Sequence, residues 1–498
     1  MGAWKNKLFY GDNLDVLRKH VKDETIDLVY IDPPFNSKRN YNQIYNNIGG
    51  DDRAQAQAFV DTWEWDDAAI DGLTQILANE KGLLTNQSVE LIKGLVGVLK
   101  KGSLLAYLVS MTLRIAEIQR VLKPTGSFYL HCDPTASHYL KLVCDAIFCG
   151  HRGGEFRNDI IWCYRKWSIA QSQFVSNHDN ILFYTKSSEN VFNLQYVPLS
   201  PGTIKRWKGK KQQAVFSDSG RRLADNLDEA SKGSPMPDWW EVSIINPAAH
   251  ERLGYPTQKP EDLLERIIYT SSGEGDVVLD AFCGCGTTIV VAERLKRRWI
   301  GVDITYQSIS LVLRRLEHAF GSDVLDSISL NGVPRDMESA IALANKKDDR
   351  LRKEFEKWAV LTYTNNRAVI NDKKGADQGI DGTAYFLTGK DENAKIIFQV
   401  KSGGVKRDDI ATLRGDMERE QAAIAILITL EKPTRPMVTE AKGTGQFHHE
   451  SMGKNYDKIQ IVTIQDIIEN NKRLEIPMSL EVLRAAQRSV EDKQKTLF

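Results

Sequence analysis

Near the amino terminus, apolar positions group into short runs whose spacing predicts a strand, a helix and a second strand. Lys7–Tyr10 is a short apolar strand, Leu14–Val21 has helical spacing, and Ile26–Ile31 is a continuous apolar run typical of a buried parallel strand. The run stops at Asp32-Pro33-Pro34-Phe35, where two consecutive prolines cannot continue a hydrogen-bonded ladder. The tetrapeptide is therefore predicted just past the carboxyl end of a strand, the edge at which open α/β sheets bind their ligands.

A second set of apolar runs, beyond residue 250, predicts a βαβ unit. The motif Tyr255-Pro256-Thr257-Gln258-Lys259-Pro260 precedes a helix with one apolar stripe, and Pro260 is expected to open that helix. Strand Asp276–Asp280 leads through Ala281-Phe282-Cys283-Gly284-Cys285-Gly286-Thr287-Thr288 into a helix. Strand Arg298–Val302 then ends at Asp303, and a helix is predicted over 305–319.

Between these units the chain is predicted to be a polar loop over 36–60 and mainly helical to about residue 122. Strand Ser127–His131, helix 136–149 and an irregular stretch over 151–250 follow. The polar, charge-mixed segment 326–350 predicts a linker, and 351–475 predicts a second α/β domain followed by a tail over 476–498. The expected fold class is α/β in both domains.

Composition bounds the function classes. A chain of 498 residues with 42% apolar and 27% charged residues is typical of a soluble protein with two or three domains. Because 66 basic residues balance 66 acidic ones, any nucleic-acid contact has to come from local basic patches. Six scattered cysteines without a CxxC pair indicate reduced thiols. No apolar run approaches the roughly 18 residues of a membrane span, so we expect a cytoplasmic protein without membrane contact.

The glycine loop has the parts of a nucleotide-type site. Gly284 and Gly286 permit a tight turn, and Asp303 lies 19 residues after Gly284, near the spacing at which an acid holds ribose hydroxyls. Ile289 replaces the third glycine of a dinucleotide fingerprint, which argues against NAD, and no GK[ST] follows, which excludes a P-loop. Plain α/β architecture also produces such a turn, so the loop alone leaves its function open.

The Asp-Pro-Pro-Phe tetrapeptide suits the methylation of an aromatic amine. The Asp32 carboxylate and a backbone carbonyl near Pro33 or Pro34 can each accept one N–H hydrogen bond, which draws the amine toward a tetrahedral geometry. The prolines fix the backbone, and Phe35 offers a face on which a base can stack. Such an amine lies inside a duplex, so the base has to be flipped out. A simple turn after a strand is the alternative for the tetrapeptide alone.

Together the motifs resemble the DNA amino-methyltransferases, and their order resembles the permuted β class. DPPF resembles the catalytic motif, and FCGCGTT, about 250 residues later, resembles the cofactor motif. TQKP just before the loop, Gly11-Asp12-Asn13 and Trp299–Asp303 match further motifs of that class. The resemblance covers roughly residues 5–320. It implies a Rossmann-like, S-adenosylmethionine-dependent methyltransferase domain over 1–325 with an inserted target-recognition region at about 151–250.

Carried over position by position, the resemblance implies a cofactor site and a catalytic site. The catalytic residues are Asp32, Pro33, Pro34 and Phe35. Asp303 would bind the ribose, Asp12 would lie near the adenine, and Thr257 and Lys259 would lie near the methionine end. The remaining cofactor residues implied around the glycine loop are Asp280, Phe282, Gly284, Gly286 and Thr287. Cys285 stands where the family often has serine, a small-for-small change.

The target base and the DNA contacts are less fixed by the sequence. In that family Asp at the first catalytic position usually goes with N6 of adenine and Ser with N4 of cytosine. Adenine is therefore favoured, and N4 of cytosine stays open. C5-cytosine chemistry needs a Pro-Cys nucleophile, which this chain lacks. Available for double-stranded DNA are the cations Arg206, Lys208, Lys210, Lys211, Arg221 and Arg222 and the indoles Trp162, Trp167, Trp207, Trp239 and Trp240. Residue by residue, a solvated cation or a buried tryptophan is the competing interpretation.

The second domain carries a different chemistry. Two strands of one sheet can bring Asp381 and Gln399 together around a divalent ion, and Lys401 on the same strand face can orient an attacking water. This pattern resembles the PD-(D/E)xK nuclease core in its Mrr-like form, where Gln replaces the second acid. The resemblance implies a Mg²⁺ site of Asp381, Gln399 and Glu356 and a restriction-endonuclease-like fold. A nuclease fold that has lost activity and only grips DNA is the alternative.

The combined hypothesis is a single-chain restriction–modification protein that methylates DNA and cuts it with its last domain. One alternative is a methyltransferase whose second domain is only a DNA clamp. Another is the modification subunit of a larger restriction system with a separate partner protein. A purely structural DNA-binding protein would not need Asp32 and the cofactor loop together. Because dimers are common in the β class, a homodimer also stays open.

Overall fold

The computed structural model describes residues 4–34, 63–149, 152–166, 172–216, 222–246, 249, 251–253, 255, 257–345, 349–371, 379–388, 393–476 and 478. The predictions made for the loop over 36–60, for Phe35, Trp167 and Arg221 and for most of the tail over 476–498 lie outside these residues.

Among the described residues, nine strands of the first domain form one mixed sheet in the order β10-β4-β5-β3-β2-β11-β12-β1-β13. From β3 to β13 all neighbours are parallel, and β5 runs antiparallel to both β3 and β4. The strands of this domain are β1 Asn6–Tyr10, β2 Ile26–Ile31, β3 Leu122–Cys132, β4 Glu155–Cys163, β5 His178–Thr185, β6 Tyr196–Val197, β7 Lys210–Phe216, β8 Arg222–Ala230, β9 Ser234–Pro235, β10 Trp239–Glu241, β11 Val277–Asp280, β12 Arg298–Asp303 and β13 Ile328–Asn331.

The helices cover both faces of this sheet, which is why Ile26–Ile31 is buried at every position. Polar side chains start several of them: Thr85 caps α3 and Thr305 caps α9. Pro260 lies one residue before α7, as its cap. The helices are α1 Asn13–His20, α2 Asp67–Ala78, α3 Asn86–Leu99, α4 Ser103–Val121, α5 Ser137–Phe148, α6 Pro201–Trp207, α7 Glu261–Ser271, α8 Thr287–Arg294, α9 Tyr306–Phe320 and α10 Met337–Ala344.

The segment 326–350, predicted to be a linker, contains a strand and a helix. A 3-10 helix over Ser322–Ser327 leads into β13, which pairs in parallel with β1 and adds a strand to the methyltransferase-like sheet. Helix α10 follows and buries Ala340 and Ala344. Because the short strand is only half-buried, its sequence has no continuous apolar run from which a strand could be predicted.

The carboxyl-terminal part is a smaller α/β unit. Its described residues form a five-stranded sheet in the order β14-β15-β16-β17-β20, beside a separate hairpin of β18 and β19. Its elements are α11 Asp349–Tyr363, β14 Val369–Ile370, β15 Gly382–Leu387, β16 Asn393–Lys401, α12 Arg407–Arg419, β17 Ile424–Thr429, α13 Arg435–Gly443, β18 Gln446–His449, β19 Lys454–Asp457, β20 Ile459–Thr463 and α14 Ile464–Ile468.

One apolar core runs through both parts of the chain. Helix α9 packs against α11, and the buried side chains of Val312 and Leu316 belong to the same cluster as Phe355 and Trp358. Ile476, assigned to the tail, is also buried in this core. None of the described helices combines the length and the hydropathy needed to cross a lipid bilayer.

Candidate active site

Four acidic residues lie at one edge of the large sheet. Strands β1, β12, β11 and β2 are adjacent and parallel, so their carboxyl ends meet. Asp12 follows β1, Asp303 ends β12, Asp280 ends β11 and Asp32 follows β2. The structure thus brings together, on neighbouring strands, motifs that the sequence places up to about 290 residues apart.

Asp303 holds the glycine loop in place. Its Oδ2 accepts a hydrogen bond from the backbone N–H of Gly284 at 2.9 Å, and its Oδ1 accepts from the backbone N–H of Thr305 at 2.9 Å. The side chain is buried, and burial raises the pKa of Asp303 to about 6 despite these hydrogen bonds. The residue predicted to bind ribose therefore also shapes the loop beside it.

The loop needs its glycines at two positions. Gly284 and Gly286 have φ angles of 48° and 76°, in the left-handed region that side chains disfavour. A Cβ on Gly286 would lie 2.8 Å from Val312 Cγ2, so a larger residue is excluded by contact as well. Helix α8 starts at Thr287 without a side-chain cap, which leaves its first N–H groups facing the loop as partners for a polar ligand.

Arg315 anchors the far side of the loop. Its guanidinium donates to Thr287 Oγ1 at 3.0 Å, to the carbonyl of Cys285 at 3.3 Å and to Glu261 Oε1 at 2.6 Å. Thr287 Oγ1 in turn donates to the backbone carbonyl of Lys259 at 3.3 Å. The sequence analysis missed Arg315, because an arginine on an amphipathic helix gives no signal of which loop it will contact.

Asp12 acts as a helix cap and an ion-pair partner. Its Oδ1 accepts from the backbone N–H of Leu14 at 2.9 Å, and its Oδ2 accepts from Arg114 Nη2 at 2.9 Å. Asn13 Nδ2 donates to the carbonyl of Ala281 at 2.7 Å, which fastens this turn to the start of the glycine loop. Proximity of Asp12 to a bound adenine stays a prediction.

Asp32 is largely buried, with 17% of its side chain exposed, and its two oxygens have different surroundings. Oδ2 accepts a short hydrogen bond from the ammonium of Lys259. Oδ1 is buried and has no hydrogen-bond partner among the described residues. His131 Nδ1 lies 3.9 Å from Oδ1. One oxygen of the carboxylate is therefore held by a cation and the other is an open acceptor.

The remaining predicted residues of this site divide into buried and accessible groups. Asp280 is buried, accepts from the backbone N–H of Phe282 at 3.0 Å, and has its pKa raised by burial to about 7. Pro33 is buried, Pro34 and Phe282 are half-buried, and Thr257 is exposed. Their contacts with cofactor or base stay predictions.

In the basic segment expected to contact DNA, the cations described below are exposed, whereas two of the indoles are buried. Arg206 and Lys208 lie exposed at the end of α6 and just beyond it, and Lys211 on β7 forms a 3.0 Å ion pair with Glu229. Trp162 and Trp240 are buried in the core, so the competing interpretation holds for these two indoles. Trp239 is 53% exposed.

In the smaller domain, Asp381 and Gln399 are neighbours. Asp381 Oδ2 accepts from the backbone N–H of Val400 at 2.7 Å, and Gln399 Nε2 donates to the carbonyl of Gly379 at 2.9 Å. Gln399 Oε1 is buried without a hydrogen-bond partner in the described part of the chain. Lys401 Nζ lies 3.6 Å from Asp409 Oδ1 on α12.

The third predicted metal ligand, Glu356, lies half-buried on α11. Within the residues described by the structure, no group of three or more His, Cys, Asp or Glu side chains is arranged to hold a metal ion. Because the predicted Mg²⁺ ligands include Gln399, which is outside these four residue types, the Mg²⁺ site of Asp381, Gln399 and Glu356 stays a prediction.

In the comparison with known proteins, two different family models match the amino-terminal and the carboxyl-terminal parts of the chain. A family model for N6/N4 enzymes, described as DNA methylase, matches residues 26–314. A second model, described as NACHT-associated inactive Restriction Endonuclease 1, matches residues 351–469.

Two curated relatives and one solved structure illustrate the likeness. DNA adenine methyltransferase YhdJ of Escherichia coli K12 is 27% identical over 314 residues, which are 63% of this chain and 83% of that protein. Type II methyltransferase M.HpaI of Haemophilus parainfluenzae is 30% identical over 229 residues, which are 46% of this chain and 65% of that protein. Thermus thermophilus TTHA0409, solved with S-adenosyl-L-methionine, has 17% identity and a TM-score of 0.36, and the match covers 66% of this chain and 99% of that one.

Proposed function

Because the chain belongs to the N6/N4 DNA methylase family, we propose that it transfers a methyl group from S-adenosylmethionine to N6 of adenine in duplex DNA. The observation that carries the proposal is the position of Asp32. Its carboxylate follows the strand next to the one that leads into the glycine loop, with one buried oxygen open to accept an N–H group.

The residues at the sheet edge fit the cofactor in chemistry and in shape. S-adenosylmethionine supplies an activated methyl group, an anionic carboxylate and a ribose with two hydroxyls. The Asp303 carboxylate has the acceptor oxygens that ribose hydroxyls need, and the uncapped start of α8 offers N–H groups. The positive φ angles of Gly284 and Gly286 permit the tight turn that places the loop at the start of α8.

Asp32 is held ready to receive the amine of a flipped base. The Lys259 ammonium, 13% exposed, stabilises the ionised carboxylate in a site that would otherwise disfavour charge. With Oδ2 so occupied, Oδ1 accepts one N–H of the amine, and a carbonyl of the Pro33-Pro34 turn accepts the second. Accepting both hydrogens localises the nitrogen lone pair and turns it toward the methyl group.

Nucleoside mass spectrometry tests the base assignment. Duplex DNA methylated by the purified protein should contain N6-methyladenine and no N4-methylcytosine after digestion to nucleosides. Detection of N4-methylcytosine alone would overturn the adenine assignment and leave the methylase family membership intact. Denatured DNA of the same sequence, methylated in parallel, shows whether duplex is required.

We expect the affinity for S-adenosylmethionine to fall as the pH drops below 6. The ionised Asp303 accepts hydrogen bonds better than the neutral acid, and its pKa is about 6. One pH unit below that value only about a tenth of the carboxyl is ionised, so Kd should rise about tenfold at pH 5. Calorimetric titration between pH 5 and 8 measures this.

The matched control is Asp303→Asn, which should bind weakly and without the fall below pH 6. Protonation of Asp303 or Asp280 is not expected to unfold the protein in acid. A carboxyl group whose pKa is raised in the native state contributes its full stabilisation below the pKa that it has in the unfolded chain. That stabilisation is lost as the pH rises through 6 for Asp303 and 7 for Asp280. A wild-type Kd that is constant down to pH 5 would contradict the role given to Asp303.

For the smaller domain we infer a DNA clamp that does not cut. The match to a model of inactive endonucleases favours this alternative over Mg²⁺-dependent cleavage. Asp381 Oδ2 is engaged by the backbone of Val400, and Lys401 lies beside Asp409 rather than free. Gln399 Oε1 is the feature on which a cutting activity would depend, as a buried open acceptor next to Asp381.

Incubation with Mg²⁺ and supercoiled plasmid decides between clamp and nuclease. We expect methylated and unmethylated plasmid to stay intact with the wild-type protein and with Lys401→Ala. Cleavage by the wild type that Lys401→Ala abolishes would establish the nuclease, and with it the single-chain restriction–modification protein.

A further inference from the structure

Behind Asp32 lies a buried histidine that the chemistry described so far does not use. His131, near the carboxyl end of β3, has no exposed surface. Its Nδ1 lies 2.9 Å from the hydroxyl of Tyr30 and 3.9 Å from Asp32 Oδ1. Its Nε2 lies 3.3 Å from Asp179 Oδ2, on the antiparallel neighbour β5. The ring therefore lies between two carboxylates, with Asp32 near Nδ1 and Asp179 near Nε2.

The hydrogen-bond partners fix the protonation of the ring. Burial raises the pKa of Asp179, but hydrogen bonding and attraction to His131 outweigh burial, and the pKa lies below its usual value. An ionised carboxylate can only accept, so Nε2 carries the ring hydrogen and donates it to Asp179. In the neutral imidazole Nδ1 is then the unprotonated nitrogen, and it accepts from the Tyr30 hydroxyl, whose own pKa burial raises far above the usual value.

Methylation of an amine releases a proton that must be taken up. The N6–C bond forms as the S–C bond of the methyl donor breaks, and the electron pair of that bond stays on sulfur. The positive charge moves to N6, which loses one proton to an acceptor. Asp32 Oδ1 is an open acceptor in the proposed site, and His131 Nδ1 lies 3.9 Å behind it.

We propose that His131 is a positioning residue that takes this proton from Asp32 and holds it as an imidazolium between Asp32 and Asp179. The inference rests on the proposed methyl transfer. When the product base leaves and water enters, the proton passes from the imidazolium to solvent and Asp32 is ready again. The 3.9 Å separation has to shorten by about 1 Å, a tightening that is common between free enzyme and reactive complex.

The surroundings of the ring favour this role over plain core packing. Both flanking carboxylates lower the cost of an imidazolium in a buried site. Tyr164 donates to Asp179 Oδ1 at 3.2 Å and so holds the distal carboxylate. The groups facing the ring or its partners are Tyr30, Asp32, Tyr164, Asp179 and Lys259, with the indole of Trp162 edge-on at 5.5 Å.

Single-turnover methylation of duplex DNA by His131→Gln tests the proposal. We expect the rate to fall about 10²-fold, the usual contribution of proton transfer, with Kd for S-adenosylmethionine and for DNA within twofold of wild type. Because glutamine cannot take up a proton, the pH profile of the rate should differ between the variant and the wild type. Asp179→Asn should show a loss in rate of the same order. It keeps the shape of the side chain, and Asp179 is less buried than His131.

His138→Gln is the matched control, because this exposed histidine lies seven residues further along the chain, on α5. It should keep the wild-type rate and pH profile. If the wild type methylates DNA and both His131→Gln and Asp179→Asn keep its rate, the relay is refuted while the proposed function stands. A loss of rate with an unchanged pH profile would also refute it. If the wild type does not methylate DNA at all, the proposed function itself fails.

Discussion

Replacing Asp32 by alanine should reduce methyl transfer on the order of 10³-fold, the scale seen when a charged hydrogen-bonding group is removed from a preorganised site. The substitution removes the open acceptor Oδ1 and leaves the ammonium of Lys259 without its carboxylate partner. The amine then loses the group that localises its lone pair, and a cation faces the position where positive charge develops. Single-turnover incorporation of the methyl group into duplex DNA measures the loss.

Two controls separate chemistry from binding. Asp32→Asn keeps the shape and one acceptor oxygen, so it should retain more activity than alanine while losing the charge that pairs with Lys259. Kd for S-adenosylmethionine should stay within a few-fold in both variants, because the cofactor residues around Asp303 and Gly284 are unchanged. An alanine variant that keeps a tenth or more of the wild-type rate would show that the carboxylate is not part of the reaction.

A chain ending at residue 345 should fail to give a stable methyltransferase. The truncation removes α11 and strips the packed face of α9, which begins three residues after Asp303. Phe355 and Trp358 are almost wholly buried in the shared core. Val312 and Leu316 on α9 lose these packing partners, and since burying such a side chain contributes about 1.5–3 kcal/mol, the loss is a large share of the roughly 5–15 kcal/mol stability of a whole protein.

The same truncation also removes a polar contact at the start of α9. The buried carboxylate of Glu354 accepts from the backbone N–H of Tyr306 at 2.7 Å and is paired with Lys357 at 3.0 Å. We expect the shortened chain to aggregate, or to melt well below the full-length protein and bind S-adenosylmethionine more weakly. A control chain ending at residue 478 should behave like the full-length protein. Full solubility, melting temperature and cofactor affinity after truncation at 345 would show that the first domain stands alone.

The sequence predicted the buried elements well because their patterns are local. Strand Ile26–Ile31 has the expected bounds, and helix α9 begins and ends within one residue of the expected helix over 305–319. A continuous apolar run or a helical stripe is written within ten to fifteen residues. The two motifs at the sheet edge could be placed for the same reason, since each follows such a strand.

What the sequence could not predict depends on pairings between distant residues. Arg114 contacts Asp12 across 102 positions, and His131 contacts Tyr30 across 101. No local pattern marks either partner. Edge strand β13 was missed for another reason: it has only four half-buried residues, alternating apolar and polar, so its pairing with β1 rather than its composition makes it a strand.

Lys259 touches both halves of the site: its ammonium holds Asp32, and its carbonyl accepts from Thr287 at the start of α8. A ligand that draws this lysine toward the glycine loop would weaken the ion pair that holds Asp32. By thermodynamic reciprocity, a base that occupies Asp32 must then change the affinity of the loop for its ligand by the same factor. We therefore expect binding at the two places to be coupled through this one residue, whichever of cofactor and DNA binds first.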